Sequence, residues 1–161
     1  MSHRRAVVIT FGCKVNQYES ERLRDFLGRR GYSAAPPGTQ ADLCIVNSCT
    51  VTRGADAGCR QAVRRLLREH PRARVVVTGC YATRAPEELR ALSNRIEVVG
   101  NRAKARLAGL LPGAPAARRT PSAPTLHTYP RQRALLKIQD GCDKGCAYCI
   151  IPIVRPRLIS R

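Results

Sequence analysis

Val75-Val76-Val77-Thr78-Gly79-Cys80 is a continuous apolar run that closes on a glycine and a cysteine. A run without polar alternation reads as a strand buried on both faces, the setting of a parallel sheet covered by helices. The same layout occurs twice upstream, as Val7-Val8-Ile9-Thr10-Phe11-Gly12-Cys13 and as Cys44-Ile45-Val46-Asn47-Ser48-Cys49. The repetition predicts strands over Arg5–Phe11, Asp42–Asn47 and Arg74–Thr78, each delivering a cysteine at its carboxyl end.

Helical patterns separate these runs. Gly12–Gln17 reads as a loop and Tyr18–Arg30 as a helix with Leu23, Phe26 and Leu27 on one face, stopped by Gly31. Gly54–Glu69 reads as a helix carrying Val63, Leu66 and Leu67. Pro86–Leu92 is a short helix with proline in its first turn. A strand over Ile96–Val99 and a helix over Arg102–Leu111 follow. This alternation predicts an α/β fold, a parallel sheet with helices on both faces and right-handed crossovers. Pro112–Pro130 has no period and reads as a linker. Ala134–Gln139 reads as one more strand. The organisation expected is therefore a domain over 1–111, a linker over 112–133 and the start of a second domain over 134–161.

The chain has 161 residues and a formal charge of +18. No Asp or Glu lies between Glu97 and Asp140, while Arg102, Lys104, Arg106, Arg118, Arg119, Arg131, Arg133 and Lys137 do. A one-sign stretch suits a polyanion, and nucleic acid is the first candidate. With five Tyr, two Phe and no Trp, stacking platforms for single strands are scarce, so phosphate contacts would carry the binding. Ala6–Thr10 is too short for the apolar core of a signal peptide, and no run of about 18 apolar residues suggests a membrane span. A cytoplasmic location is expected. Eight cysteines in such a chain point to metal or redox chemistry rather than structural disulfides.

Cys13, Cys49 and Cys80 form a dispersed triad. In open α/β sheets ligands bind at the carboxyl edge, where these residues fall. Gly12 and Gly79 would let the backbone approach a bulky cluster. Thiolates select iron–sulfur clusters, zinc or Cu(I) over hard cations. Two plainer readings compete: cysteines packed at strand ends, and a zinc site with His70 or His127 as fourth ligand. Cys44, inside a strand, reads as a buried inert thiol. Cys59 lies on a helix among arginines, which could lower its pKa, but it reads as a bystander.

Cys142-Asp143-Lys144-Gly145-Cys146-Ala147-Tyr148-Cys149 is a compact C-x3-C-x2-C triad. Three thiolates instead of the usual four would leave one iron of a cube open to a ligand. Tyr148 offers an aromatic wall beside it. No paired carboxylate, Ser-His pair or phosphate-cradling glycine loop competes as the reactive centre, and no side chain is assigned a catalytic role.

The C-x3-C-x-Tyr-C run resembles the signature of radical S-adenosylmethionine enzymes. Taken with Gly12-Cys13-Lys14-Val15-Asn16-Gln17, Asn47-Ser48-Cys49-Thr50 and Thr78-Gly79-Cys80-Tyr81, the chain resembles the N-terminal portion of a radical-SAM methylthiotransferase. The Gly-Cys-Lys-Val-Asn-Gln form most resembles the branch acting on N6-threonylcarbamoyladenosine-37 of tRNA. The resemblance implies that residues 1–111 are the methylthiotransferase domain and 134–161 the truncated start of a radical-SAM partial barrel. It implies an auxiliary 4Fe–4S cluster on Cys13, Cys49 and Cys80, and a SAM-cleaving 4Fe–4S cluster on Cys142, Cys146 and Cys149, with Tyr148 beside the SAM adenine. It further implies methylthio insertion at C2 of the adenine, tRNA bound at its anticodon region, and a flavodoxin or ferredoxin as electron donor.

The sequence departs from this family in its last residues. Where the family tends to read Arg-Gly-x-Glu-x-Ser-Arg, this chain has Arg155-Pro156-Arg157-Leu158-Ile159-Ser160-Arg161. The chain alone is expected to be inactive. A non-catalytic iron–sulfur or RNA-binding module, and a nonfunctional remnant, stay open as alternatives.

Overall fold

In a computed structural model, which describes residues 4–110 and 135–160, the apolar runs become one parallel sheet. Its strands are β1 (Arg4–Thr10), β2 (Tyr32–Ala34), β3 (Leu43–Ser48), β4 (Arg74–Gly79) and β5 (Ile96–Gly100), in the order β2-β1-β3-β4-β5. Ile9 pairs with Val46, Val46 with Val77, and Val77 with Val98. The chain builds outward from β1 to β2, then crosses back to β3. The sheet therefore changes winding direction between β1 and β3.

Side chains alternate across each strand, so both faces of the sheet carry a core. Cys44, Val46, Val75 and Val77 pack with Val63, Leu66, Tyr81 and Leu89 on one face. Leu43, Ile45 and Val76 pack with Leu27, Tyr32 and Leu107 on the other. The covering helices are α1 (Lys14–Arg29), α2 (Arg53–Glu69), α3 (Cys80–Arg84), α4 (Pro86–Arg90) and α5 (Leu107–Leu110), with a 3-10 turn over Asn101–Arg106. Thr52 caps α2, its hydroxyl accepting from the Ala55 amide at 3.1 Å. The expected α/β sheet with helices on both faces is what forms.

Several local expectations are corrected. Helix α1 begins at Lys14, so most of the expected Gly12–Gln17 loop is its first turn. Asn16 makes this possible. It is fully buried, and its Nδ2 donates to the carbonyls of Phe11 (2.8 Å) and Ser48 (2.9 Å). The three-residue β2 and the five-residue α3 were not expected, being too short to show a period. Helix α4 stops at Arg90, and the helix expected over Arg102–Leu111 is mostly the 3-10 turn. Residues 135–138 form no strand, and only Gln139–Asp140 (β6) pairs, antiparallel to Ile159–Ser160 (β7). Leu136 and Ile138 remain exposed, with no sheet among the described residues to bury them. A short helix, α6 (Ile151–Val154), lies between β6 and β7. The linker expected over 112–133, together with His127, lies outside the described residues. Among the described residues no helix is long and apolar enough to cross a membrane.

Candidate cysteine sites

Cys13 follows β1 as the residue capping α1, Cys49 follows β3, and Cys80 follows β4 as the first residue of α3. Strands β1, β3 and β4 are adjacent, so all three cysteines occupy one carboxyl edge. Cys13 and Cys49 flank the point where the winding reverses, the usual ligand crevice of open α/β sheets. Cys13 is exposed, while Cys49 and Cys80 are buried.

Two glycines set this edge. Gly12 has φ +93°, and a Cβ there would lie 2.3 Å from Sγ of Cys49. Gly79 has φ +102°, and a Cβ there would fall 2.2 Å from the Ser48 carbonyl oxygen. Neither position admits a side chain. Beneath them lies a buried polar lattice. Asn47 Nδ2 donates to the Asn16 carbonyl and to Ser20 Oγ, both at 3.0 Å. Ser48 Oγ donates to the Thr78 carbonyl at 2.6 Å and accepts from the Ala82 amide at 3.2 Å. Cys80 Sγ accepts from Asn101 Nδ2 at 3.7 Å, and Asn101 Oδ1 has no partner among the described residues.

On the far side of Cys80, Tyr81 is fully buried. Its hydroxyl donates to Glu88 at 2.6 Å and accepts from Arg60 at 2.7 Å, and the guanidinium groups of Arg60 and Arg84 lie over its ring. Arg84 also donates to Thr50 Oγ1 at 2.7 Å and pairs with Asp56 at 2.8 Å. These contacts tie the residues beside Cys49 and Cys80 to α2.

The other cysteine readings divide cleanly. Cys44 and Cys59 are both fully buried. Burial, reinforced by Glu69, pushes the Cys44 thiol up to about 12. Burial, with Asp56, pushes Cys59 up to about 12 against the opposing pull of Arg60. Both are inert packing thiols. His70 caps the carboxyl end of α2 and accepts from the Ala41 amide at 3.2 Å. That places it at the amino edge of the sheet, opposite the dispersed triad, so it supplies no fourth ligand.

The compact triad lies on the turn-rich stretch between β6 and α6. Cys142 and Cys149 are half-buried, and Cys146 is exposed. The Cys149 amide donates to the Cys146 carbonyl at 3.1 Å, closing a turn. Tyr148 is 93% exposed, so it walls off nothing among the described residues. All eight cysteines are free thiols. Among the described residues no three His, Cys, Asp or Glu side chains are grouped closely enough to hold one metal ion.

The sequence reading missed a cluster of charges that joins residues 135–160 to the sheet domain. Arg155 donates to both carboxylate oxygens of Glu19 (2.7 and 2.9 Å), to Asp140 (2.7 Å) and to Asn16 Oδ1 (3.0 Å). Lys137 pairs with Glu19 at 3.0 Å and with Asp140 at 2.6 Å, and Lys104 pairs with Glu19. Burial alone would raise the Glu19 carboxyl, but Arg155 and Lys104 hold it far below the usual carboxylate range. Arg155 is held above the ordinary arginine value despite its own burial, chiefly through Glu19. The cluster borders a cavity of about 920 Å³ lined by Leu23, Phe26, Asn47, Asn101, Lys104 and Arg157 among others. The one signal in the sequence was Asp140, the first acid after a long basic stretch.

A family described as uncharacterized protein family UPF0004 matches residues 5–100. A threonylcarbamoyladenosine tRNA methylthiotransferase MtaB of Chlamydia pneumoniae is 39% identical over 156 residues, covering 96% of this chain and 36% of that protein. The Bacillus subtilis protein of the same name is 35% identical over 165 residues, covering 94% and 37%. A tRNA-2-methylthio-N(6)-dimethylallyladenosine synthase of Erythrobacter litoralis is 34% identical over 168 residues, covering 96% and 38%. The chain thus spans 36% to 38% of the length of these relatives.

Proposed function

The chain belongs to the UPF0004 family, and from that premise we propose that it is the cluster-bearing portion of a tRNA methylthiotransferase. The observation that carries the reading is the placement of Cys13, Cys49 and Cys80 at the carboxyl ends of three adjacent strands.

The donor set fits an iron–sulfur cluster. The thiols are free, Gly12 sets no side chain against the Cys49 sulfur, and Asn101 offers a hydrogen bond to the Cys80 sulfur. A cube separates its thiolates more widely than a single ion does, and three cysteines leave one iron without a protein ligand. Cys13, Cys49 and Cys80 would hold one 4Fe–4S cluster, and Cys142, Cys146 and Cys149 a second. The chemistry these groups supply when bound is sulfur donation at the first and one-electron reduction of S-adenosylmethionine at the second. The protein's own contribution is ligation, orientation and shielding. The Asn101 amide donates to the Cys80 sulfur from outside the ligand set, a contact of the kind that orients a ligand and tunes a cluster. Burial of Cys49 and Cys80 keeps water from their sulfurs.

The substrate proposed is tRNA at its anticodon region, modified at C2 of N6-threonylcarbamoyladenosine-37. Two of the relatives above carry threonylcarbamoyladenosine and tRNA in their names, and the charge of +18 suits RNA phosphates. Tyr148, exposed beside Cys149, is proposed to pack on the adenine of bound S-adenosylmethionine. A flavodoxin or ferredoxin would serve as electron donor, in the cytoplasm. The test is iron and acid-labile sulfide per chain after anaerobic reconstitution. About eight of each is expected for two cubes. Little iron, or zinc in its place, would sink the reading.

A further inference from the structure

Arg155 is the point where the two cysteine regions meet. Its side chain is 6% exposed, and its guanidinium reaches acceptors on both sides. Toward the sheet it donates to Asn16 Oδ1 and Glu19. Asn16 in turn holds the carbonyls of Phe11 and Ser48, the main chain leading into Gly12-Cys13 and Cys49. Toward the compact run Arg155 donates to Asp140, and its carbonyl accepts from the Cys142 amide at 3.4 Å. Gly141 packs so tightly here that a Cβ would fall 1.9 Å from the Arg157 carbonyl oxygen and 2.7 Å from that of Arg155.

The neighbouring residue completes the junction. Val154 is fully buried, and its carbonyl accepts from Asn101 Nδ2 at 2.9 Å. The same Nδ2 donates to Cys80 Sγ. Two consecutive residues of the C-terminal segment therefore reach, through one side chain each, the surroundings of all three sheet-edge cysteines.

An apolar contact would hold the segment down without fixing its angle. A planar fork of N–H groups satisfied by carboxylates and an amide fixes both distance and direction. We propose that Arg155 is a positioning residue that sets the compact cysteine run against the sheet-edge cysteines. The inference rests on both triads serving one site, as proposed above.

The test is the alkylation rate of each cysteine in the reduced, metal-free full chain, read by mass spectrometry after iodoacetamide treatment. Cys44 and Cys59 report global unfolding, because both are fully buried in the core. In Arg155→Met, labelling of Cys142 and Cys149 is expected to accelerate at least about tenfold, the scale of losing charge-assisted hydrogen bonds, with Cys44 and Cys59 still protected. The double variant Glu19→Gln/Arg155→Met leaves no unpaired Glu19 charge and is expected to show the same pattern. Arg155→Lys keeps the charge without the fork and is expected to fall between. Unchanged labelling of Cys142 and Cys149 would overturn the inference, as would equal acceleration of Cys44 and Cys59, or a wild-type rate in Arg155→Lys. A chain that takes up no iron yet shows the expected pattern would keep the Arg155 inference and lose only the cluster assignment.

Discussion

Gly12 lies against Cys49 so closely that a Cβ would sit 2.3 Å from its Sγ and 2.4 Å from its Cβ. The backbone at Gly12 also has φ +93°, which other residues rarely adopt. Gly12→Ala is therefore expected to lower stability by at least ~2 kcal/mol, from backbone strain plus the clash. Urea unfolding monitored by circular dichroism measures this. A variant as stable as the parent would show that Gly12 and Cys49 are not so placed.

The buried inert cysteines and those proposed as cluster ligands are expected to separate by iron content. Cys80→Ala is expected to cut reconstituted iron from about eight to about four per chain, the loss of one cube. Cys59→Ala, in a fully buried position, is expected to leave iron unchanged and cost only ~1 kcal/mol of packing. An equal loss of iron in both variants would contradict the division.

Glu19 makes stability depend on pH in a stated direction. Its folded-state carboxyl lies well below its ordinary value, because Arg155 and Lys104 outweigh burial. Such a group contributes stability above the unfolded-state pKa of ~4.3, and the contribution fades as pH falls below that value. The difference in melting temperature between the parent and Glu19→Gln is expected to narrow between about pH 5 and pH 3. A constant difference across this range would show that the Glu19 charge is not the stabilising form.

Binding to an anticodon stem-loop RNA is expected to weaken linearly in log affinity against log salt. Each phosphate neutralised contributes about 0.7 to 0.9 to the slope. Fluorescence anisotropy across a salt series measures it. A flat profile would argue against phosphate contacts by this strongly basic chain.

Some of this architecture is legible in the sequence because it is local. The run Val75–Val77 is apolar at every position, and only a strand covered on both faces buries such a run. A glycine directly before Cys13 and another directly before Cys80 mark close backbone approach, since each lacks the Cβ that would block it. The start of α1 is not legible in this way. Asn16 looks like a loop residue until the carbonyls of Phe11 and Ser48 arrive from two strands to accept its Nδ2. The apolar residues Leu136 and Ile138 suggest a strand, but no sheet edge among the described residues reaches them.

From the residues alone came the strand period, the helices between strands, and the two sets of thiols, since each depends on neighbours within a few positions. The tertiary structure alone decided which strands lie side by side, and hence that the three strands ending at Cys13, Cys49 and Cys80 are immediate neighbours. It also decided that Arg155 bridges Glu19 and Asp140. A buried guanidinium needs acceptors from several directions at once, and here they come from residues far apart along the chain.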